Sequence, residues 1–160
     1  MTQIVQRTIL FADLRGSTSL YESMGNAEAT AVVTQSVSLL ARIVDALGGQ
    51  VVKTLGDGLM AMFEAPTEGV QAADEMHESM ERIGGPGSAL PQPLKVQVAL
   101  ACGEVVEMSG DVFGDAVNVA ARLLDHAGDN ETLVTANVLA GLAPVERLRF
   151  RSLDRMQLRG

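Results

Sequence analysis

The chain has 160 residues, of which 47% are hydrophobic and 20% charged, and this composition is typical of one globular domain with a real core. Its formal net charge is −8, and it has only two lysines, Lys53 and Lys95. An acidic chain without a basic run is a poor candidate for non-specific binding to nucleic acid or to an anionic membrane, so we expect neither as a partner.

The apolar pattern predicts a mixture of strands and helices. The predicted elements are, in chain order, a strand at 5–12, helices at 16–25 and 27–47, strands at 51–55 and 59–63, a helix at 70–83, a loop at 84–93, strands at 94–102 and 103–108, a helix at 116–126, a strand at 133–135, a short helix at 136–142 and a last strand within 150–158. Two hairpins are expected, one across Gly56-Asp57-Gly58 and one across Gly103. These elements predict an α/β (α+β) sandwich, with one largely antiparallel sheet and helices on one face.

Two aspartates stand where apolar strands end. Asp13 follows the first predicted strand, and Asp57 follows residues 51–55. A carboxylate at the exit of a buried strand is costly unless it has a charged or metal partner. Two such exits on neighbouring strands would make a two-carboxylate cation site, although Asp57 alone is also explained as a good hairpin-turn residue.

The segment Asp13-Leu14-Arg15-Gly16-Ser17-Thr18 connects a predicted strand to a predicted helix. Backbone N–H groups at such a helix start attract phosphate, and Gly16 allows a ligand to approach the backbone closely. The alternative is an ordinary N-capped helix, which explains Ser17 and Thr18 but leaves the acidic strand exit unexplained.

A second polar pair stands on the predicted helix at 116–126. Asn118 and Arg122 are four residues apart, so both side chains leave the same face of that helix. Their neighbours are small and apolar, and the pair therefore needs polar partners. Alternatively, the two residues are an ordinary pair on the helix surface, or Arg122 bridges to an acidic neighbour such as Asp115.

Three segments together resemble one known family. As they stand here they are Phe11-Ala12-Asp13-Leu14-Arg15-Gly16-Ser17-Thr18, Val52-Lys53-Thr54-Leu55-Gly56-Asp57-Gly58 and Asp111-Val112-Phe113-Gly114-Asp115-Ala116-Val117-Asn118-Val119-Ala120-Ala121-Arg122-Leu123. In this order and spacing they resemble the catalytic domain of class III nucleotidyl cyclases, the adenylate and guanylate cyclase homology domain. The resemblance covers nearly the whole chain and implies that family's ferredoxin-like or palm-like fold, a mostly antiparallel sheet with helices packed on it.

The resemblance also implies the roles of individual residues. In the family, the aspartates that match Asp13 and Asp57 bind two divalent cations, Mg²⁺ or Mn²⁺, which hold the triphosphate and activate the ribose 3′-hydroxyl. The residue that matches Asn118 orients the ribose, and the one that matches Arg122 stabilises charge on the α-phosphoryl group. The residues implied to cradle phosphate oxygens are Leu14, Arg15, Gly16, Ser17 and Thr18.

The residues that match Lys53 and Asp111 read the base in this family. Adenine offers an acceptor at N1 and a donor at N6, whereas lysine only donates and an ionised aspartate only accepts, so the pair complements adenine. Guanylate cyclases of the family typically carry Glu and Cys, or a similar residue, at these positions. This chain therefore resembles the branch that uses ATP.

The resemblance implies an adenylate cyclase that makes cyclic AMP and pyrophosphate from ATP. Family members act as dimers in which one subunit supplies the metal aspartates and the other supplies the base-reading pair and the Asn/Arg pair. All six residues are present here, which implies a homodimer with two equivalent sites. The alternative is a weak or inactive homology domain with a regulatory or dimerisation role, although such domains usually lose a metal aspartate or the arginine. A diguanylate cyclase is disfavoured, because the turn at residues 55–59 lacks the Gly-Gly-Asp/Glu-Glu-Phe sequence.

The chain also departs from the family pattern. Residues 103–111 leave room only for a short hairpin, and the chain stops before the family's final strand and its phosphate-contacting lysine, for which Arg151, Arg155 or Arg159 would have to substitute. We therefore expect residues 1–160 to be a single catalytic domain without that strand, taken from a longer protein with regulatory domains outside this chain.

No apolar stretch approaches the roughly 20 residues that span a bilayer, so no membrane segment is expected. The lone Cys102 fits a reducing cytoplasm.

Overall fold

The computed structural model of the protein describes residues 2–84 and 94–153. Within these residues the elements are, in chain order, β1 (Gln3–Arg15), α1 (Ser17–Met24), α2 (Asn26–Ala46), β2 (Gln50–Thr54), β3 (Gly58–Phe63), α3 (Pro66–Gly84), β4 (Lys95–Met108), β5 (Asp111–Phe113), α4 (Asp115–Leu124), β6 (Thr132–Val134), α5 (Ala136–Ala140) and α6 (Pro144–Arg147). The predicted helices and the first hairpin are confirmed, with α3 beginning four residues early at Pro66. The short helix α6 was not predicted.

The strands form one sheet in the order β2-β3-β1-β4-β5, and β6 lies beside β4. All pairings are antiparallel except that of β6 with β4. Strand β1 is central and pairs with β4 along its whole length, from Gln3 opposite Glu107 to Arg15 opposite Lys95. The predicted mostly antiparallel sheet is therefore confirmed.

Both faces of the sheet are buried. Leu10 and Ala12 of β1 point into the larger core, which is closed by α1, α2, α3 and α5. Ile9 points the other way and packs with Ala116 and Ala120 of α4. Helices thus lie on both faces of the sheet, and the prediction that they lie on one face is wrong. A strand buried on both faces reads as a continuous apolar run, so its sequence does not show that a helix covers the second face.

Strand β4 corrects the prediction of a second hairpin across Gly103. Residues 95–108 form one continuous strand in which Gly103 pairs with Arg7 of β1. A Cβ at Gly103 would lie in ordinary contact with Ala116 of α4, so the glycine lies beneath a helix and not in a turn. The hairpin occurs later, where Ser109 and Gly110 adopt positive φ angles of 54° and 79° and connect β4 to β5.

The two outermost strands of the sheet path approach each other. Strands β2 and β5 lie at opposite ends of the strand order, yet Met60 and Met62 of β3 share one apolar cluster with Val105 of β4 and Val112 of β5. The sheet therefore curls around this cluster until β2 and β5 are within side-chain reach.

Helix α2 is long and apolar enough, by length and composition alone, to cross a membrane, with a mean hydropathy of 1.2. Core helices pass the same test, and the residues of α2 that pack inward are Ala29, Val33, Ser36, Val37, Leu40, Ile43 and Val44. Their spacing of three and four places them on one face, so packing in the core accounts for the apolar residues of that face.

Two predictions fall wholly or partly outside the described residues. The loop expected at 84–93 lies there, except for Gly84, which ends α3. Of the last strand expected within 150–158, residues 150–153 are not in a strand, and the remainder lies outside the described residues.

Candidate active site

The structure brings Asp13 and Asp57 together at the end of β1. Asp13 pairs with Gly58 of β3, and the Leu14 N–H donates a 2.9 Å hydrogen bond to the Asp57 carbonyl oxygen. A Cβ at position 58 would collide with the carbonyl oxygen of Ala12, so the turn can cross β1 this closely only with a glycine there. The backbone thereby holds both carboxyl groups on one side of the turn.

The two carboxyl groups interact strongly. Burial, a hydrogen bond to Asp57 and the negative charge of Asp57 raise the pKa of Asp13 to about 7, while the charge of Arg15 opposes the rise. Two acidic groups with this arrangement are short of positive charge. In the described part of the chain, no cluster of three or more acidic, histidine or cysteine side chains could hold a metal. The pair fits Mg²⁺, which proteins commonly hold with one or two carboxylates, leaving other positions to water and substrate phosphates.

Helix α1 begins directly beside this pair. Gly16 precedes its first turn with φ of 95°, and no side chain caps that end. The Ser17 hydroxyl donates instead to the Asp57 carboxylate over 3.4 Å. The first N–H groups of a helix have no partner within it, so those of α1 are available to an anion. The Leu14 N–H already donates to the Asp57 carbonyl oxygen, and the Leu14 side chain is buried. Of the residues predicted to cradle phosphate, Arg15 and those after it are therefore the ones that remain available.

Lys53 and Asp111 meet although 58 residues separate them. The Lys53 Nζ lies 3.1 Å from Asp111 Oδ2, and the two side chains are 46% and 36% exposed. The strand register shifts between Val51 and Lys53, which marks a bulge in β2. The Val112 N–H donates to Asp111 Oδ1 over 2.7 Å, and this bond, followed by that from Lys53, lowers the pKa of Asp111. An ionised acceptor and a cationic donor thus stand side by side.

Helix α4 carries Asn118 and Arg122. Its buried residues are Ala116, Ala120 and Leu123, which face the sheet. Asn118 is exposed and Arg122 is half-buried. In residues 2–84 and 94–153, neither side chain makes a hydrogen bond or an ion pair with another side chain, so the suggested bridge from Arg122 to Asp115 does not form.

Gln97 was not predicted as a site residue, yet it is 6% exposed and pairs with Asp13 across β1 and β4. Its amide nitrogen donates to the Ala127 carbonyl, and its oxygen accepts from Arg15 over 3.4 Å. Gln97 therefore connects the strand that carries Asp13 to the segment that follows α4. The sequence did offer a signal for Gln97, because it is an amide within the apolar run 94–102 and a buried amide needs hydrogen-bond partners.

Comparisons with known proteins bear on the family and the fold of the chain. The family model described as the adenylate and guanylate cyclase catalytic domain matches residues 1–160. An adenylate cyclase of Anabaena cylindrica is 30% identical over 167 residues, which cover 92% of this chain and 33% of that protein. The chain thus spans about a third of the length of the curated relatives it matches.

Two solved structures are similar in fold. The adenylyl cyclase CyaB from P. aeruginosa has a TM-score of 0.78 and 21% identity, with 88% of this chain and 81% of that chain covered. A protein of Silicibacter pomeroyi described as an adenylate/guanylate cyclase/hydrolase has a TM-score of 0.75 and 27% identity, with 94% and 84% covered. The architecture described above is therefore that of class III cyclase domains.

Proposed function

Because this chain belongs to the adenylate and guanylate cyclase catalytic domain family, we propose that it converts ATP to cyclic AMP and pyrophosphate. The observation that carries the choice of ATP is the pair formed by Lys53 and Asp111, whose charged groups lie 3.1 Å apart. Relatives of about 30% identity described as adenylate cyclases support the same choice.

The pair suits adenine because of its hydrogen-bonding chemistry. Lys53 can only donate and would meet the N1 acceptor, while ionised Asp111 can only accept and would meet the N6 amino group. The Val112 N–H and Lys53 both favour the charged form of Asp111. Guanine, with a donor at N1 and an acceptor at O6, would set a donor against Lys53 and an acceptor against Asp111, so neither group could bind it.

Asp13 and Asp57 would hold divalent cations, Mg²⁺ or Mn²⁺, and α1 would receive the phosphates. Cations bound there would lower the pKa of the ribose 3′-hydroxyl and neutralise the triphosphate. The turn at Gly58 holds Asp57 beside β1, and α1 begins at Ser17, two residues after β1 ends at Arg15. Ser17 orients Asp57 through its hydroxyl.

Asn118 would orient the ribose, and Arg122 would act at the α-phosphorus, where the bond to the 3′-oxygen forms as the bond to pyrophosphate breaks. A guanidinium near that phosphoryl group stabilises the negative charge that develops in the transition state. Neither side chain has a side-chain partner among the described residues, which suits a role toward substrate. We propose that they serve the site of a second copy of the chain, so that a homodimer forms two shared sites.

A product assay tests the proposal. The purified chain is incubated with Mn²⁺ and either ATP or GTP, and the products are separated by chromatography. We expect cyclic AMP and pyrophosphate from ATP and little cyclic GMP. Cyclic GMP as the main product would refute the base assignment, and no cyclic nucleotide from a verified dimer would favour the regulatory alternative.

A further inference from the structure

A small cationic site lies next to Asp13 and joins Arg15, which belongs to the predicted phosphate cradle, to Lys95 and Asp129. Arg15 Nε is 3.7 Å from Asp129 Oδ1, and Lys95 Nζ is 3.8 Å from Asp129 Oδ2. One carboxylate therefore serves two cations, one on each oxygen. The chain has 12 lysines and arginines and 20 acidic residues. Because acidic residues are in excess, two cationic side chains that share one carboxylate are an unusual local concentration of positive charge.

The two cations are placed toward the phosphate end of the proposed site. Arg15 and Lys95 are direct partners across β1 and β4. Arg15 lies two residues after Asp13, so both side chains leave the same face of β1, about 7 Å apart. Helix α1 begins two residues after Arg15, at Ser17. A phosphate chain held at Asp13 that extends along this face would reach both cations.

The bonds to Asp129 are weak enough to be exchanged. Both distances exceed those of hydrogen bonds, and the side chains of Arg15, Lys95 and Asp129 are 53%, 43% and 50% exposed. Exposed ion pairs of this kind contribute little to stability. A phosphate offers more charge and more acceptor oxygens than one carboxylate, so it would displace Asp129.

Resting on the proposed function, we propose that Arg15 and Lys95 bind the terminal phosphates of the nucleotide, and that Asp129 occupies both cations until the phosphates displace it. Gln97 is a positioning residue in this arrangement, because its buried side chain accepts from Arg15 Nη1 over 3.4 Å and fixes the guanidinium beside Asp13. Asp129 acts as a competitor of the substrate, which predicts opposite effects for the loss of a cation and the loss of the carboxylate.

Calorimetric titration with inorganic tripolyphosphate and Mg²⁺ measures phosphate affinity in the absence of a nucleobase and of turnover. Arg15→Gln and Lys95→Gln should each weaken binding about tenfold, because each removes a charged hydrogen bond to phosphate. Asp129→Asn should tighten binding by up to about fivefold, because the competing ion pairs are lost. Lys95→Arg should keep most of the affinity.

Arg149→Gln is the matched control, since it removes an exposed cation from a two-point ion pair with Asp74 elsewhere; it should change affinity less than about twofold. Unchanged affinity in Arg15→Gln and Lys95→Gln, weaker binding in Asp129→Asn, or no binding of tripolyphosphate to the wild type would each overturn the proposal. Failure to make cyclic AMP with these affinity changes intact would refute the proposed function alone.

Discussion

At the scale of single residues, the site places two mutually repelling carboxyl groups side by side. Asp13 and Asp57 lie close enough that burial and the second carboxyl group raise the pKa of Asp13 to about 7. The folded chain therefore binds a proton at Asp13 more tightly than the unfolded chain, whose aspartates titrate near 4. Stability associated with this proton is complete below pH 4 and is lost as the pH rises toward and through 7.

Asp57→Asn should relieve part of this loss. In cation-free buffer at pH 8, we expect the variant to be more stable than the wild type by about 1 kcal/mol, because one of two neighbouring negative charges is gone. At pH 4 the difference should nearly vanish. Thermal unfolding followed by circular dichroism at both pH values, with a chelator present, measures this.

Glu75→Gln removes one exposed negative charge from α3 and serves as the control. It should leave the melting temperature nearly unchanged at both pH values. Added Mn²⁺ should stabilise the wild type but not Asp57→Asn. A variant that melts below the wild type at pH 8 would contradict the repulsion between the two carboxyl groups.

At the scale of elements, the turn between β2 and β3 decides where Asp57 lies. Gly58→Ala places a methyl group against the Ala12 carbonyl oxygen, so β1 and β3 must separate. We expect a cost of about 3 kcal/mol, together with weaker Mn²⁺ binding. Gly56 has φ of 73° and no neighbour within 4 Å, so Gly56→Ala should cost only about 1 kcal/mol, from backbone strain. Melting temperatures and Mn²⁺ titrations compare the two, and equal effects would contradict the steric account.

The ion pair between Lys53 of β2 and Asp111 of β5 could hold the two strands together or bind the base, and an experiment can separate these roles. If Lys53 and Asp111 mainly joined the strands, their loss would lower stability, whereas an exposed pair should contribute less than about 1 kcal/mol. Lys53→Glu with Asp111→Cys should therefore melt within a few degrees of the wild type while moving kcat/KM from ATP toward GTP. A large fall in melting temperature with unchanged ATP preference would indicate a structural pair.

The sequence is informative about elements and less so about their partners. Periodicity placed the helices and the first hairpin, because amphipathic faces and the Asp-Gly turn are local signals. It did not show that Gly103 lies within a strand, because a glycine beneath α4 looks the same in sequence as a glycine in a turn. It also missed Gln97 and Asp129, which contact Arg15 only because β1 pairs with β4, and that pairing joins residues at least 80 positions apart.

At the scale of the whole molecule, the proposed sites are shared between two copies. Asp57→Ala and Arg122→Ala should each abolish turnover in the homodimer. When the two are mixed and allowed to exchange subunits, one site of each mixed dimer keeps every residue, so about a quarter of the wild-type rate should return. The measurement is cyclic AMP formation before and after mixing, with light scattering to confirm dimers. No recovery despite proven exchange would show that each site lies within one chain.

The long pairing of β1 with β4 also bears on how the protein is made. Gln3 pairs with Glu107 and Arg15 with Lys95, so β1 leaves the ribosome well before residues 95–107, which form its second neighbour in the sheet. Pairings this distant in sequence make folding slow and leave one edge of an apolar strand unpaired meanwhile. Strand β1, which carries Asp13, is therefore synthesised before the other strands of its sheet and is among the last to be enclosed. A nascent chain cut short before β4 would hold Asp13 beside β3 alone, without the strand that pairs with the other edge of β1.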